Sequence, residues 1–169
     1  MSVALNIGTR TSTEQPEDLK ASYLVSLKLI ERLHRLLLDV IKDEFERLGR
    51  SDVNSVQALL LYNIGDAELT AGELTSRGYY LGSNVSYNLK KLVESGYINH
   101  QRSKTDRRSV WVRLTDKGQD VSKVVSALYQ RQLKSLQQVG GVDSSDLEIL
   151  NKSLIRLERF WTDQIRYQL

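Results

Sequence analysis

The residues best suited to do chemistry lie between Gly82 and Lys117. On a wheel of 100° per residue, Ser83, Asn84, Tyr87, Lys90 and Lys91 share one helix face, and Val85, Leu89, Leu92 and Val93 share the opposite one. The apolar face suits packing. The polar face suits the major groove of duplex DNA, which presents base-edge donors and acceptors and the thymine methyl group. Asn84 has the amide geometry for a bidentate pair with adenine, and Lys91 reaches guanine or a phosphate. Tyr87 offers its hydroxyl to a base or phosphate and its ring to a methyl. Further along, Arg107 and Arg108 sit in a polar loop and are long enough to enter a minor groove or grip phosphates.

An ordinary solvated helix would carry similar residue types, so the charge distribution matters. Residues 82–117 hold eight basic and three acidic residues, a net +5, whereas the rest of the chain is at −2. A basic patch on an otherwise slightly acidic protein is the footprint of a polyanionic partner. The basic loop follows the polar helix face directly, which weights that face toward nucleic acid.

These residues need elements to position them. Residues 1–18 are polar, aperiodic and contain the only proline, Pro16, which predicts a flexible tail. From about Leu19 to Leu48, apolar residues recur at helical period, with charges opposite that include Glu31 to Arg35 and Asp43 to Arg47 at i,i+4. A helix of about 28 residues would run about 42 Å, more than one small lobe covers. Gly49 ends it. Asn54 with Gln57 predicts a cap for a second helix through about Asn63. Thr70 with Glu73 forms a capping box for a short helix, Gly78 to Gly82 a tight break, and a further helix runs from about Ser83 to Ser95 and stops at Gly96. Two short helices with a glycine-containing turn make a helix-turn-helix.

After Gly96 the period becomes two. Tyr97 to Arg102 and Ser109 to Leu114 predict a hairpin around the basic loop Ser103 to Arg108, and Trp111 within it is expected to pack. Thr115 caps a long helix to about Val139, Gly140 and Gly141 break it, and Asp143 or Ser144 opens the last helix. In that helix Leu147, Leu150, Leu154, Leu157 and Trp161 follow a 3-4-3-4 seam, widened by Phe160 and Ile165. Two long apolar-striped helices flanking one small lobe are best explained by packing against their copies in a second subunit.

In order and spacing, several fragments resemble the MarR family of bacterial winged-helix regulators over almost all the chain after the tail. They are Glu68-Leu69-Thr70, Val85-Ser86, Leu92 to Ile98, and Asp106-Arg107-Arg108 continuing to Val112-Arg113-Leu114-Thr115-Asp116-Lys117-Gly118. The stretch from Gly78 to Asn88 further resembles an alphaproteobacterial branch that includes LdtR. The resemblance implies a homodimer on a pseudo-palindromic operator, commonly a repressor released by a small molecule. It assigns Asp106 to pairing with a wing arginine, and it places a ligand crevice near Phe45, Leu61, Tyr62 and Tyr129. The family often has Arg where Tyr87 and His100 stand here, so a strong guanine contact is in doubt.

The expected fold is mainly α with a small β-hairpin wing, a winged helix-turn-helix lobe plus long N- and C-terminal dimerisation helices. The expected division is a tail at 1–18, an N-terminal dimerisation helix at 19–50, a DNA-binding lobe at 51–118, and C-terminal linker and dimerisation helices at 119–169. The expected function is a homodimeric, sequence-specific regulator binding double-stranded DNA, a repressor released by a small aromatic or weakly acidic effector. The alternatives are a winged-helix protein-interaction module and an activator without ligand control.

Other classes find little footing. His34 and His100 have no triad-like neighbours, and no phosphate-cradling glycine loop or metal-ligand spacing occurs, so neither an enzyme nor a cofactor is expected. The chain has no cysteine, which excludes disulfides and thiol redox sensing. The N-terminus lacks the pattern of a secretory signal, and no run approaches the roughly 18 apolar residues of a membrane span. A cytoplasmic location without membrane contact is expected.

Overall fold

The computed structural model describes residues 16–76, 82–102 and 110–167. The expected tail therefore lies almost wholly outside the described residues. Helix α1 spans Pro16–Arg47, α2 Ser55–Ile64, α3 Ala71–Ser76, α4 Gly82–Glu94, α5 Asp116–Leu136 and α6 Ser144–Tyr167. Three short strands, β1 (Leu69–Thr70), β2 (Ile98–Arg102) and β3 (Val110–Leu114), form an antiparallel sheet in the order β1-β3-β2.

The helices begin where side chains can satisfy free backbone N–H groups. Asn54 and Gln57 make a reciprocal capping box for α2, with the Gln57 N–H donating to Asn54 Oδ1 at 2.8 Å and the Asn54 N–H to Gln57 Oε1 at 3.2 Å. Thr115 caps α5 by accepting the Gly118 N–H at 3.2 Å. Asp143 Oδ1 accepts the N–H groups of Ser145 and Asp146 at the head of α6.

One core holds the lobe together. Leu60, Leu61 and Ile64 of α2 pack on Val121, Val125 and Leu128 of α5, roofed by Ile41 and Phe45 from the C-terminal end of α1. Leu74 of α3, Leu89 and Leu92 of α4, and Ile98, Val112 and Leu114 of the sheet complete it. The first half of α1 lies outside this core, with Leu19, Leu24, Val25, Leu29 and Leu33 exposed, and no residue of α6 is buried.

Three details differ from the expectations. The wing hairpin has a third strand, β1, in register with Leu69 opposite Val112 and Thr70 opposite Trp111. Two residues are too few to leave an alternating pattern. Trp111, 37% exposed, lies on the outer face of the sheet and not in the core, because strand alternation sends Val112 and Leu114 inward and Trp111 with Arg113 outward. Arg47 pairs with Glu44, at 2.8 and 3.0 Å, instead of Asp43. Among the described residues no helix is long and apolar enough to cross a membrane.

Candidate nucleic-acid interface

The helix-turn-helix is built from α3 and α4. Thr70 and Glu73 open α3 reciprocally: the Thr70 N–H donates to Glu73 Oε2 at 2.7 Å, and the Glu73 N–H donates to Thr70 Oγ1 at 3.1 Å. Leu74 anchors α3 in the core, and α4 packs beside it through Leu89 and Leu92. Asn88, a polar residue on the buried side of α4, was not singled out by the helix wheel.

The opposite side of α4 faces solvent. Tyr87 is 63% exposed, and Lys90 and Lys91 are exposed with Nζ atoms 3.9 and 3.6 Å from the Glu94 carboxylate. Such solvated pairs contribute little to stability, so both ammonium groups remain available to a phosphate. Ser83 and Asn84 fall in the first turn of α4, the end at which a recognition helix meets base edges. Asp106, Arg107 and Arg108, and with them the expected wing tip, lie outside the described residues, as does the break from Arg77 to Leu81.

The joint between α4 and the wing is firmly held. Gly96 adopts φ +78, a left-handed conformation that lets the chain leave α4 sharply, and the Tyr97 N–H closes the turn on Leu92 O at 2.8 Å. The buried Tyr97 donates its hydroxyl to Asp52, in the turn after α1. Arg50 holds the same carboxylate with two hydrogen bonds at 3.0 and 3.2 Å. This Arg50 pairing, helped by the Tyr97 hydroxyl, keeps the Asp52 carboxyl well below its ordinary pKa, and burial with the nearby carboxylate pushes Tyr97 up to about 12.

From the other side, α5 closes on the same joint. Thr115 donates its hydroxyl to Gly96 O at 2.7 Å and its N–H to Tyr97 O at 3.0 Å. Lys117 donates to Ser95 O at 3.0 Å, with its ammonium 4.2 Å from the centre of the Tyr97 ring. A Cβ on Gly118 would stand 2.2 Å from Tyr97 O, so only glycine permits this approach of α5 to the strand. The run Leu114-Thr115-Asp116-Lys117-Gly118 thus has a mechanical meaning.

A second polar node ties α1 to α5. Glu44, only 7% exposed, receives Arg47 and Arg131, the latter at 2.5 Å. The Arg47 hydrogen bonds, with Arg131 adding, lower its pKa against the opposing effect of burial.

Known proteins with this arrangement decide the family. Residues 53–118 match the winged helix DNA-binding domain. The exopolysaccharide II synthesis transcriptional activator ExpG of Rhizobium meliloti is 34% identical over 164 residues, covering 95% of this chain and 82% of that protein. A putative MarR family regulator from Listeria monocytogenes, solved with a 26mer DNA, superposes with a TM-score of 0.70 at 18% identity, covering 83% of this chain and 91% of that one.

The chain belongs to the MarR family.

It is a winged helix-turn-helix, DNA-binding transcriptional regulator. Streptococcus pneumoniae FabT, also solved with DNA, shares the fold with a TM-score of 0.60 at 21% identity, over 84% of this chain and 98% of that one.

Of the residues expected at a MarR-type crevice, Phe45 and Leu61 are buried in the core. Tyr62 and Tyr129 are half-buried and meet edge to face, with ring centres 5.0 Å apart. Burial pushes the Tyr129 pKa up. Tyr62 also lines a cleft of about 440 Å³ between the end of α2 and the start of α5, whose other walls include Asn63, Gln119, Ser122, Lys123 and Ser126. The Asp52 and Glu44 nodes were missed by sequence reasoning. The short-range partners Arg50 and Arg47 were visible in sequence, but the long-range ones, Tyr97 and Arg131, become neighbours only in the fold.

Proposed function

We propose that this MarR family protein acts as a homodimer, reading a pseudo-palindromic operator with one α4 helix in each of two successive major grooves. The observation that carries this is the unpartnered apolar surface of the arm formed by α1 and α6. Trp161 Nε1 of α6 donates to the Tyr23 hydroxyl of α1 at 3.2 Å, which joins the two helices. Beside this bond, apolar grooves of about 540 and 320 Å³ remain open, the second lined by Leu29, Leu33, Leu150, Leu154 and Leu157. Exposed apolar surface on this scale marks an interface, and a second copy supplies the same helices in a self-complementary arrangement. The arm comprises the first half of α1 together with α6. The protein is assigned to the cytoplasm, where its operator is.

Ser83, Asn84 and Tyr87 are assigned to base readout, and Lys90, Lys91, Arg107 and Arg108 to phosphates or the minor groove, with Asp106 orienting an arginine. Selection of bound duplexes from randomised DNA is the test. The expected result is a site with half-site centres about 34 Å apart. A selected site without internal symmetry, or a monomer in sedimentation at micromolar concentration, would overturn the proposal. Within that site, Tyr87→Ala is expected to relax preference at particular base pairs by about 1–3 kcal/mol. Arg108→Ala should instead flatten the salt dependence, by about one unit of slope for each phosphate that the arginine had neutralised.

The direction of regulation is better supported as activation than as the repression that the family resemblance implies, because the relative matching 95% of the chain is named a transcriptional activator. A reporter transcribed in vitro from a promoter carrying the selected operator decides between them. Control by a small aromatic or weakly acidic molecule is assigned to the cleft lined by Tyr62, whose ring meets Tyr129 behind it, and where hydroxyls, amides and the Lys123 ammonium supply polar partners. Such a ligand alters DNA binding only if it prefers one spacing of the two α4 helices.

A further inference from the structure

The C-terminal end of α4 is gripped at one point from two sides, the α1–α2 turn and α5. From the α1 side, Arg50 lies 5.5 Å over the Phe45 ring and holds Asp52, and Asp52 accepts the Tyr97 hydroxyl. From the α5 side, Lys117 covers the Tyr97 ring and caps Ser95 O, while Gly118 permits backbone contact with Tyr97 O. Tyr97 in turn closes the last turn of α4 through its N–H on Leu92 O.

We propose that Asp52, Tyr97 and Lys117 are positioning residues that set the angle of α4 against the α1–α2 turn and α5, and so fix the half-site spacing the protein accepts. The inference rests on the dimer proposed above. A helix of this length is ~20 Å long. A tilt of ~10° at its C-terminal joint therefore moves its base-reading end by ~3.4 Å, which is the rise of one base pair. None of the three residues has to touch DNA. Their effect is to make that tilt costly, because it would pull a buried hydroxyl from a carboxylate already committed to Arg50.

The test uses the operator selected by the full-length protein, together with versions in which one base pair is inserted or deleted at its centre. Wild-type protein is expected to prefer the original spacing strongly. Tyr97→Phe keeps the ring and removes the clasp, and should reduce that preference roughly tenfold. Lys117→Met should reduce it severalfold with dimer content unchanged; because it also removes one positive charge, its effect is read as the ratio between spacings and not as absolute affinity. A role in stability alone would weaken all three spacings equally. That result, or an unaltered preference, overturns the inference. If Tyr97→Phe does not fold, the same comparison on Lys117→Met decides. Failure of the dimer itself would be seen separately, as absence of any spacing preference in the wild-type protein.

Discussion

Helices α5 and α6 carry apolar residues at nearly the same spacing, yet they meet different fates. Gly118, Val121, Val125 and Leu128 of α5 are all buried against the lobe, whereas Leu147, Leu150, Leu154, Leu157 and Trp161 of α6 all remain partly or wholly exposed. Helical periodicity reveals that a face will be covered, but not what covers it. In α5 the cover is α2 of the same chain. In α6 only the first half of α1 lies alongside, leaving apolar grooves open between the two. The lobe thus covers its apolar face within one chain while the arm leaves its own open, and under the proposed dimer a substitution should act on stability in the first region and on assembly in the second.

The largest expected effect tests the arm. Leu150→Asp combined with Leu154→Asp places two charges in the proposed interface while leaving the lobe core untouched. Sedimentation should show a monomer, and operator affinity should fall on the order of a hundredfold, because the second half-site loses its effective concentration. A double variant that stays dimeric would break the contrast between the two regions.

The complementary change is Leu60→Ala, at a fully buried α2 position. Loss of packing there should lower unfolding free energy by about 2–5 kcal/mol, measured by denaturant titration at fixed protein concentration. Well below the melting range, operator affinity should hold within a few-fold. A large loss of affinity with no loss of stability would mean that the lobe core and the DNA surface cannot be treated separately.

Glu44 sits where the two regions meet, and its effect should be intermediate. Glu44→Gln removes the shared charge between Arg47 and Arg131, at a cost of about 1–3 kcal/mol. Both arginines are half-exposed or more and rehydrate, so the loss stays below that of a fully buried pair. The folded pKa of Glu44 is depressed, so its contribution is fully present above its ordinary value of 4.5 and is lost as pH falls below it. The wild-type melting temperature should therefore decline more steeply with acid than that of Glu44→Gln. Parallel curves would remove Glu44 from the pH dependence, leaving Asp52 and Asp143, both depressed, to act below their ordinary 3.8.

How much could be read beforehand follows from the range of each interaction. Asn54 with Gln57, Thr70 with Glu73, and Thr115 are local signals, and each opens the helix expected of it. The two-residue β1 left no pattern, and the partner of Arg47 was misplaced because i,i+3 and i,i+4 are both within reach on a helix. Arg131, distant in sequence, draws Glu44 inward and settles that choice. Gly118 was recognisable as part of a family signature, but its reason, a backbone approach to Tyr97, exists only once α5 and β2 are assembled. The polar face of α4 was visible from one helix wheel. The hold on the end of that helix depends on Asp52 meeting Tyr97, residues far apart in the chain.

The smallest expected effect sharpens the contrast from inside the lobe. Helix α3 has only six residues, too short to persist alone, so its first turn relies on Thr70 and Glu73 satisfying each other's backbone and side chain. Thr70→Ala removes the hydroxyl that accepts the Glu73 N–H and should cost about 1 kcal/mol. That loss is local, because Leu74 still anchors the helix in the core and the arm is distant from the cap. Amide hydrogen exchange should therefore quicken in α3 and its immediate packing partner α4, while amides of α6 and the sedimentation of the protein stay as in wild type. If exchange quickened in α6 as well, the lobe and arm would be opening as one cooperative unit, and the division between a self-sufficient lobe and a dependent arm would have to be withdrawn.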